Sequence, residues 1–289
     1  MIISIASGKG GTGKTTIAVS LALSLQHSVY VDCDVEEPNG HILLKPNISS
    51  QRYVTKKFPK IDLVKCTFCG KCSEFCEFNA IVVLKSDVMI IESLCHGCGV
   101  CSYFCPEHAI EEIEKNTGVI RKGNVQSGAI DFIDGVLNIG ETHGAQLIRH
   151  VKKEIIPDQI NIIDAPPGTS CSMVAAVKDS DFCILVTEST PFGLNDLELA
   201  VQVVRSLGIP FTVIINKYDE TFMALDMYCQ TENIPVLLKI PFDRTIAEYY
   251  SQGIPLIDAL PRFKETFRHV FDNIQAILQM HELGVTKQR

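Results

Sequence analysis

Two groups of residues have types and spacings that can do chemistry. Cys66, Cys69, Cys72 and Cys76 are repeated, 29 positions later, as Cys95, Cys98, Cys101 and Cys105. The same offset carries Ala80 to Ala109 and Ile81 to Ile110, so the segment is an internal duplication. Thiolates are soft ligands, and 12 cysteines in a reducing compartment point to metal before disulfide. Near the start, Gly8-Lys9-Gly10-Gly11-Thr12-Gly13-Lys14-Thr15-Thr16 has the make-up of a phosphate cradle. Glycines let successive backbone N–H groups turn toward one anion, Lys14 reaches the terminal phosphates, and Thr15 can ligate Mg²⁺. A glycine-rich turn without a ligand is the bland alternative, but strand, loop, Gly-Lys-Thr and helix follow in the order a cradle requires.

These residues need elements to hold them. The apolar run Met1 to Ile5 reads as a strand entering the glycine segment, and Ile17 to Leu23 as the helix leaving it. Ser28 to Val31 reads as a second strand running into Asp32 and Asp34, and Ile160 to Ile163 as another ending in Asp164. Carboxylates at the carboxyl ends of such strands face the phosphate site. Asp164 can hold Mg²⁺ through water, and the Pro166-Pro167-Gly168 turn after it can move when a phosphate leaves. Gly135–Ile139, Phe182–Val186, Phe211–Ile215 and Pro235–Leu238 are further apolar segments alternating with longer helical patterns. The expected fold is α/β, a doubly wound, mostly parallel sheet.

The segment Lys9 to Thr15 resembles the deviant Walker A signature of the MinD/Mrp/ParA family of P-loop ATPases, which includes the nitrogenase iron protein. The resemblance implies ATP hydrolysis carried by Lys9, Lys14, Asp34 and Asp164. Lys9 would cross a dimer interface to the partner's nucleotide, and Asp34 would position or activate water. Thr15, Asp32 and Asp164 would surround Mg²⁺, although Asp32 is equally suited to capping the turn that follows it. Asp164 to Cys171 is similar to the family's second switch, and Asn216 and Asp243 to its adenine-binding elements. The paired cysteine runs resemble a bacterial two-cluster ferredoxin. That resemblance implies a small inserted α+β domain with two 4Fe-4S clusters, one on Cys66, Cys69, Cys72 and Cys105, the other on Cys95, Cys98, Cys101 and Cys76. Gly70 and Gly99 would allow close backbone approach and N–H donors to sulfur. Glu77 departs from the pattern where Pro106 keeps it, without removing a ligand. The expected domains are a P-loop ATPase domain in two parts, 1–56 and 117–289, with the cluster domain inserted at 57–116.

Other features set bounds. A net charge of −8 and the lack of a basic run argue against a nucleic-acid surface. With no signal peptide and no apolar run of membrane length, a cytoplasmic location is expected. Phe263, Phe267, Val270, Phe271, Ile274, Ile277 and Leu278 share one helical face, expected to pack rather than bind membrane. Cys33, Cys183 and Cys171 are expected to be packed, and His96 and His108 to be exposed. The loop before the second switch, Gly140 to Gly144, contains no cysteine, which argues against a cluster bridging two subunits. Three functions stay open: an ATP-gated electron donor to a redox or metallocofactor-assembly partner, an iron-sulfur carrier or assembly ATPase, and a positioning ATPase with a redox-sensing insert. The chain would act as a homodimer or with a similar ATPase.

Overall fold

The computed structural model describes residues 1–25, 27–125 and 129–282. β1 (Ile2–Ala6) leads through the glycine loop into α1 (Lys14–Ser24), then β2 (Ser28–Asp32) and the short α2 (Gly40–Leu44). β3 (Asn47–Ile61) and β6 (Ile110–Val125) form a long antiparallel ribbon whose far end carries the duplicated segment. That segment holds α3 (Lys71–Glu74), a hairpin of β4 (Ile81–Val83) and β5 (Val88–Ile90), and α4 (Val100–Tyr103). The ribbon strands run unbroken across the expected domain limits at 56/57 and 116/117.

After the ribbon come β7 (Ile130–Leu137), α5 (Gly144–Lys152), β8 (Ile160–Asp164), α6 (Cys171–Val177) and β9 (Phe182–Glu188). They continue into α7 (Pro191–Ser206), β10 (Phe211–Tyr218), α8 (Met223–Thr231) and β11 (Val236–Pro241). α9 (Arg244–Ser251), α10 (Leu256–Ala259) and α11 (Arg262–Glu282) close the chain. Among the described residues, one nine-stranded sheet has the order β11-β10-β9-β1-β8-β2-β7-β6-β3. Pairing is parallel from β11 to β7, and antiparallel where β7 meets β6 and β6 meets β3.

The central strands are buried on both faces, so they read as apolar runs whose alternate residues feed two cores. Val29, Val31, Ile163, Leu185, Val213 and Ile215 enter the core beneath α5 to α8. Ile5, Tyr30, Ile162, Ile184 and Ile214 enter the opposite one, which packs α1 against α11. Phe267, Val270 and Ile274 of α11 lie in that second core, and Ile277 and Leu278 pack against it, as the aromatic stripe predicted. Among the described residues, no helix is long and apolar enough to cross a membrane.

The expected strand at Gly135–Ile139 is misplaced. β7 begins at Ile130, pairs Ile130 to Asp134 with Ser28 to Asp32, and ends at Leu137, leaving Ile139 fully exposed. Asp131 and Asp134 interrupt the apolar run in the sequence, yet Asp134 is buried because Arg121 of β6 forms a two-bond pair with it.

Candidate functional site

The chain leaves β1 and reaches the first turn of α1 through Gly13, whose φ of 96° lies in the left-handed region. A Cβ there would stand 2.3 Å from Nδ2 of Asn216, so only glycine fits. No side chain caps α1, which leaves its first N–H groups available to an anion. The loop is braced from β10: Asn216 Nδ2 donates to the Thr12 carbonyl at 2.8 Å, and Lys217 Nζ to the Gly11 carbonyl at 3.0 Å.

A cavity of about 1050 Å³ opens over this loop. Gly10, Gly11, Gly13, Lys14, Thr15, Thr16, Asp34, Asn216 and Asp243 all line it, joining residues from four regions of the sequence. Gly8, Lys9, Thr12, Asp32 and Asp164 are not among its lining residues. Asp243 spends its carboxylate on capping α9, accepting from the N–H and hydroxyl of Thr245. Phe242 and Tyr250 form a wall that the sequence reading did not include. The signal available was that both flank Asp243 on α9 and its entering turn.

Asp32 and Asp164 are register partners on adjacent strands, and both are buried. Asp32 accepts from the backbone N–H of Asp34 and of Gly40, each at 3.0 Å, so it holds the turn after β2. Burial pushes both carboxyls up, and at Asp164 the adjacent Lys14 and Thr15 oppose that rise. Asp164 Oδ2 accepts from the Tyr30 hydroxyl at 3.0 Å, whereas Oδ1 is buried with no partner. The Thr12 hydroxyl is likewise unpartnered. A buried carboxylate with one open oxygen beside a lysine and a threonine hydroxyl suits a hydrated Mg²⁺ on a nucleotide. Asp34 is half-buried on the cavity wall, where burial raises its carboxyl to about 6 against the pull of Lys14.

Lys9 is held beside the cavity by an ion pair. Its ammonium pairs with Glu188 at the end of β9 at 2.5 Å, and Lys217 pairs with the other oxygen of the same carboxylate at 2.9 Å. Burial raises the Glu188 carboxyl, but hydrogen bonds from the two lysines outweigh it and hold it below the usual range. Sequence reasoning did not include Glu188.

The eight cysteines separate into two quartets. Cys66, Cys69, Cys72 and Cys105 line a partly open cavity of about 370 Å³, and Cys76, Cys95, Cys98 and Cys101 another of about 390 Å³. Each quartet takes three cysteines from one repeat and the fourth from the other, the grouping that the resemblance to a two-cluster ferredoxin implies. The duplication is also geometric. Phe68 and Gly97, Gly70 and Gly99, and Asn79 and His108 are left-handed at equivalent positions. Cys76 and Cys105 each accept an N–H from the alanine four residues on, at 3.3 Å. Ala80 and Ala109 are thus donors to cysteine sulfur, and Gly70 and Gly99 form the turns before α3 and α4. Burial raises the Cys72 thiol and pushes Cys101 up to about 11, opposite to the depressed thiol of an electrophile-reactive cysteine. Among the described residues, no three Cys, His, Asp or Glu side chains converge as ligands of a single ion. Four thiols lining one space, with no three of them converging on a single ion, suit a polynuclear cluster better than one tetrahedral ion.

The two quartets differ in their surroundings. The second abuts the loop after β7: Thr142 donates to the Ser93 carbonyl at 2.8 Å, and His143 meets His96 edge-on at 4.2 Å between ring centroids. A buried Lys56–Glu141 pair, 2.8 Å, anchors that loop to the ribbon. His96 is exposed, as is His108, and its ring stacks on Phe78. Cys33 and Cys183 are fully buried. Cys171, expected to be packed, is instead exposed at the first turn of α6. That helix buries Met173, Ala176 and Val177, and position 171 falls on the opposite face.

The CobQ/CobB/MinD/ParA nucleotide binding domain family matches residues 3–256. The chain belongs to this family. As a member it is a nucleotide-binding P-loop ATPase. An uncharacterized protein of Methanocaldococcus jannaschii, MJ0578, is 31% identical over 287 residues, spanning 96% of this chain and 98% of its own. A protein of Pyrococcus horikoshii named iron-sulfur cluster carrier protein is 23% identical, with 88% of this chain and 78% of its own covered. Among solved structures, the septum site-determining protein MinD with Mg-ADP from Pyrococcus horikoshii superposes with a TM-score of 0.58 at 20% identity, covering 94% of this chain and 95% of that one. The similarity to MinD is one of fold.

Proposed function

We propose that this ATPase is a nucleotide-gated iron-sulfur protein that couples ATP hydrolysis to electron transfer from two 4Fe-4S clusters to a redox or metallocofactor-assembly partner. The observation that carries this reading is the sorting of eight cysteines into two complete quartets on the chain that also forms the nucleotide cavity. Four thiolates per site favour groups that are retained, and such clusters, when bound, exchange single electrons. Cys66, Cys69, Cys72 and Cys105 would hold one, and Cys76, Cys95, Cys98 and Cys101 the other.

In the hydrolysis site, Lys14 and the α1 N-terminus bind the terminal phosphates. Thr15 and Asp164 would hold a hydrated Mg²⁺, which would neutralise phosphate charge; Asp32 fixes the turn that carries Asp34. Asp34 orients the attacking water, while Asn216 and Asp243 bound the base end of the cavity. Lys9 exchanges Glu188 for the nucleotide of a second subunit when a dimer closes. A second reading, delivery of clusters to acceptor proteins, is supported by relatives named iron-sulfur cluster carrier proteins. The test is an anaerobic iron and sulfide count with EPR of the reduced chain, with and without Mg-ATP. About eight irons per chain, with signals that respond to nucleotide and stay when apo-acceptors are offered, support electron transfer. Loss of iron to the acceptor supports delivery, and zinc without sulfide overturns both.

A further inference from the structure

A tyrosine inside the core reaches the hydrolysis site. Tyr30 is the middle residue of β2, fully buried, with its ring stacked on Phe132 at 5.9 Å. Its hydroxyl donates at 3.0 Å to Oδ2 of Asp164, two residues beyond its register partner Ile162 on β8. The chain makes room for it at Gly40, where a Cβ would fall 2.3 Å from the tyrosine oxygen. That same Gly40 donates its N–H to Asp32, so the turn after β2 is shaped around the tyrosine ring. Strand packing alone needs no hydroxyl here, since Ile5, Ile162 and Ile184 fill neighbouring positions of the same core. A buried hydroxyl is costly unless partnered, and this one is spent on the carboxylate whose other oxygen is open.

We propose that Tyr30 is a positioning residue for ATP hydrolysis, holding Asp164 by one oxygen so that the other stays available to the hydrated Mg²⁺ of the nucleotide. The inference rests on the reading of Asp164 as a Mg²⁺-site residue. Tyr30 touches neither nucleotide nor metal. It fixes the rotamer of a buried carboxylate that also has Lys14, Thr15 and the register partner Asp32 beside it.

Tyr30→Phe removes the hydroxyl and keeps the ring, so the core and the Gly40 turn stay filled. The experiment measures ADP affinity calorimetrically in a Mg²⁺ series and in its absence, and kcat and KM for ATP, on the anaerobic full chain. The expected result is a rise of about tenfold in the Mg²⁺ concentration for half-maximal effect, with Mg²⁺-free ADP affinity and iron content unchanged and kcat lowered more than KM is raised. An unchanged Mg²⁺ dependence overturns the proposal. So does an equal loss of affinity with and without Mg²⁺, which marks a merely structural tyrosine. Asp164→Asn separates the two levels: if it too leaves the Mg²⁺ dependence intact, the reading of Asp164 itself fails.

Discussion

The nucleotide-binding body and the cysteine-rich segment 62–109 solve the folding problem in different ways. The body has two apolar cores, one on each face of a sheet. The cysteine-rich segment has, among its described apolar side chains, only Ala80, Ile81, Cys95 and Ala109 buried. Phe75, Phe78, Leu84, Met89, Tyr103 and Phe104 are exposed on it. A unit this small and this poor in buried apolar surface needs a staple, and metal ligation is the staple its thiols can supply. The body is therefore held by packing between its own side chains, and on the proposed reading the segment is held by the clusters its thiols would bind. Within the segment the second quartet leans on the loop carrying Glu141, Thr142 and His143, while no hydrogen bond or ion pair among the described residues ties residues 62–76 to the body.

The sharpest way to break this comparison is to disable one region and watch the other. Lys14→Ala removes the cation from the phosphate site and is expected to cut ATP hydrolysis about 1000-fold with iron and sulfide content unchanged; loss of iron would show that the regions are not separable. Anaerobic iron removal by a chelator should open residues 62–109 to proteolysis while the body keeps its cooperative thermal transition and its ATP affinity. In the same experiment iron should leave the quartet of Cys66, Cys69, Cys72 and Cys105 first, and Cys69→Ser should slow nothing at the other quartet. Phe267→Ala, which empties a fully buried site where α11 meets α1, should lower the stability of the body by about 3–5 kcal/mol, read by denaturant unfolding at full iron content. The smallest effect concerns pH. Asp34 titrates at about 6 because burial raises it, so it is ionised above that pH and protonated below. If it orients water, kcat/KM falls by about tenfold per unit as pH drops below 6, and Asp34→Asn abolishes that limb.

Much of the site was legible because its chemistry depends on local spacing. A glycine loop between strand and helix, and cysteines at repeated intervals, are read directly from neighbours in the chain. The ribbon was not legible: Asn47–Ile61 and Ile110–Val125 are rich in charge and lack an apolar face. They pair over most of their length because each supplies the other's ladder, which is a long-range fact. Asp134 misled for the same reason, since only Arg121 across the strand makes its burial tolerable. Cys171 misled because a helix start can project outward from a switch that is otherwise core.

The sequence by itself determined the phosphate cradle, the parallel part of the sheet and the eight-thiol duplication, since each shows as a local pattern, a motif, an alternation of apolar runs or a repeat with a fixed offset. Only the tertiary structure decided which distant groups share a charge. It placed Lys9 and Lys217 on Glu188, the Tyr30 hydroxyl on Asp164, and His143 against His96. Those pairings join residues separated by tens to nearly two hundred positions. The first two exist because the order of strands in the sheet brings together the ends of β1, β9 and β10, and of β2 and β8. The third exists because the ribbon sets the cysteine segment beside the loop after β7.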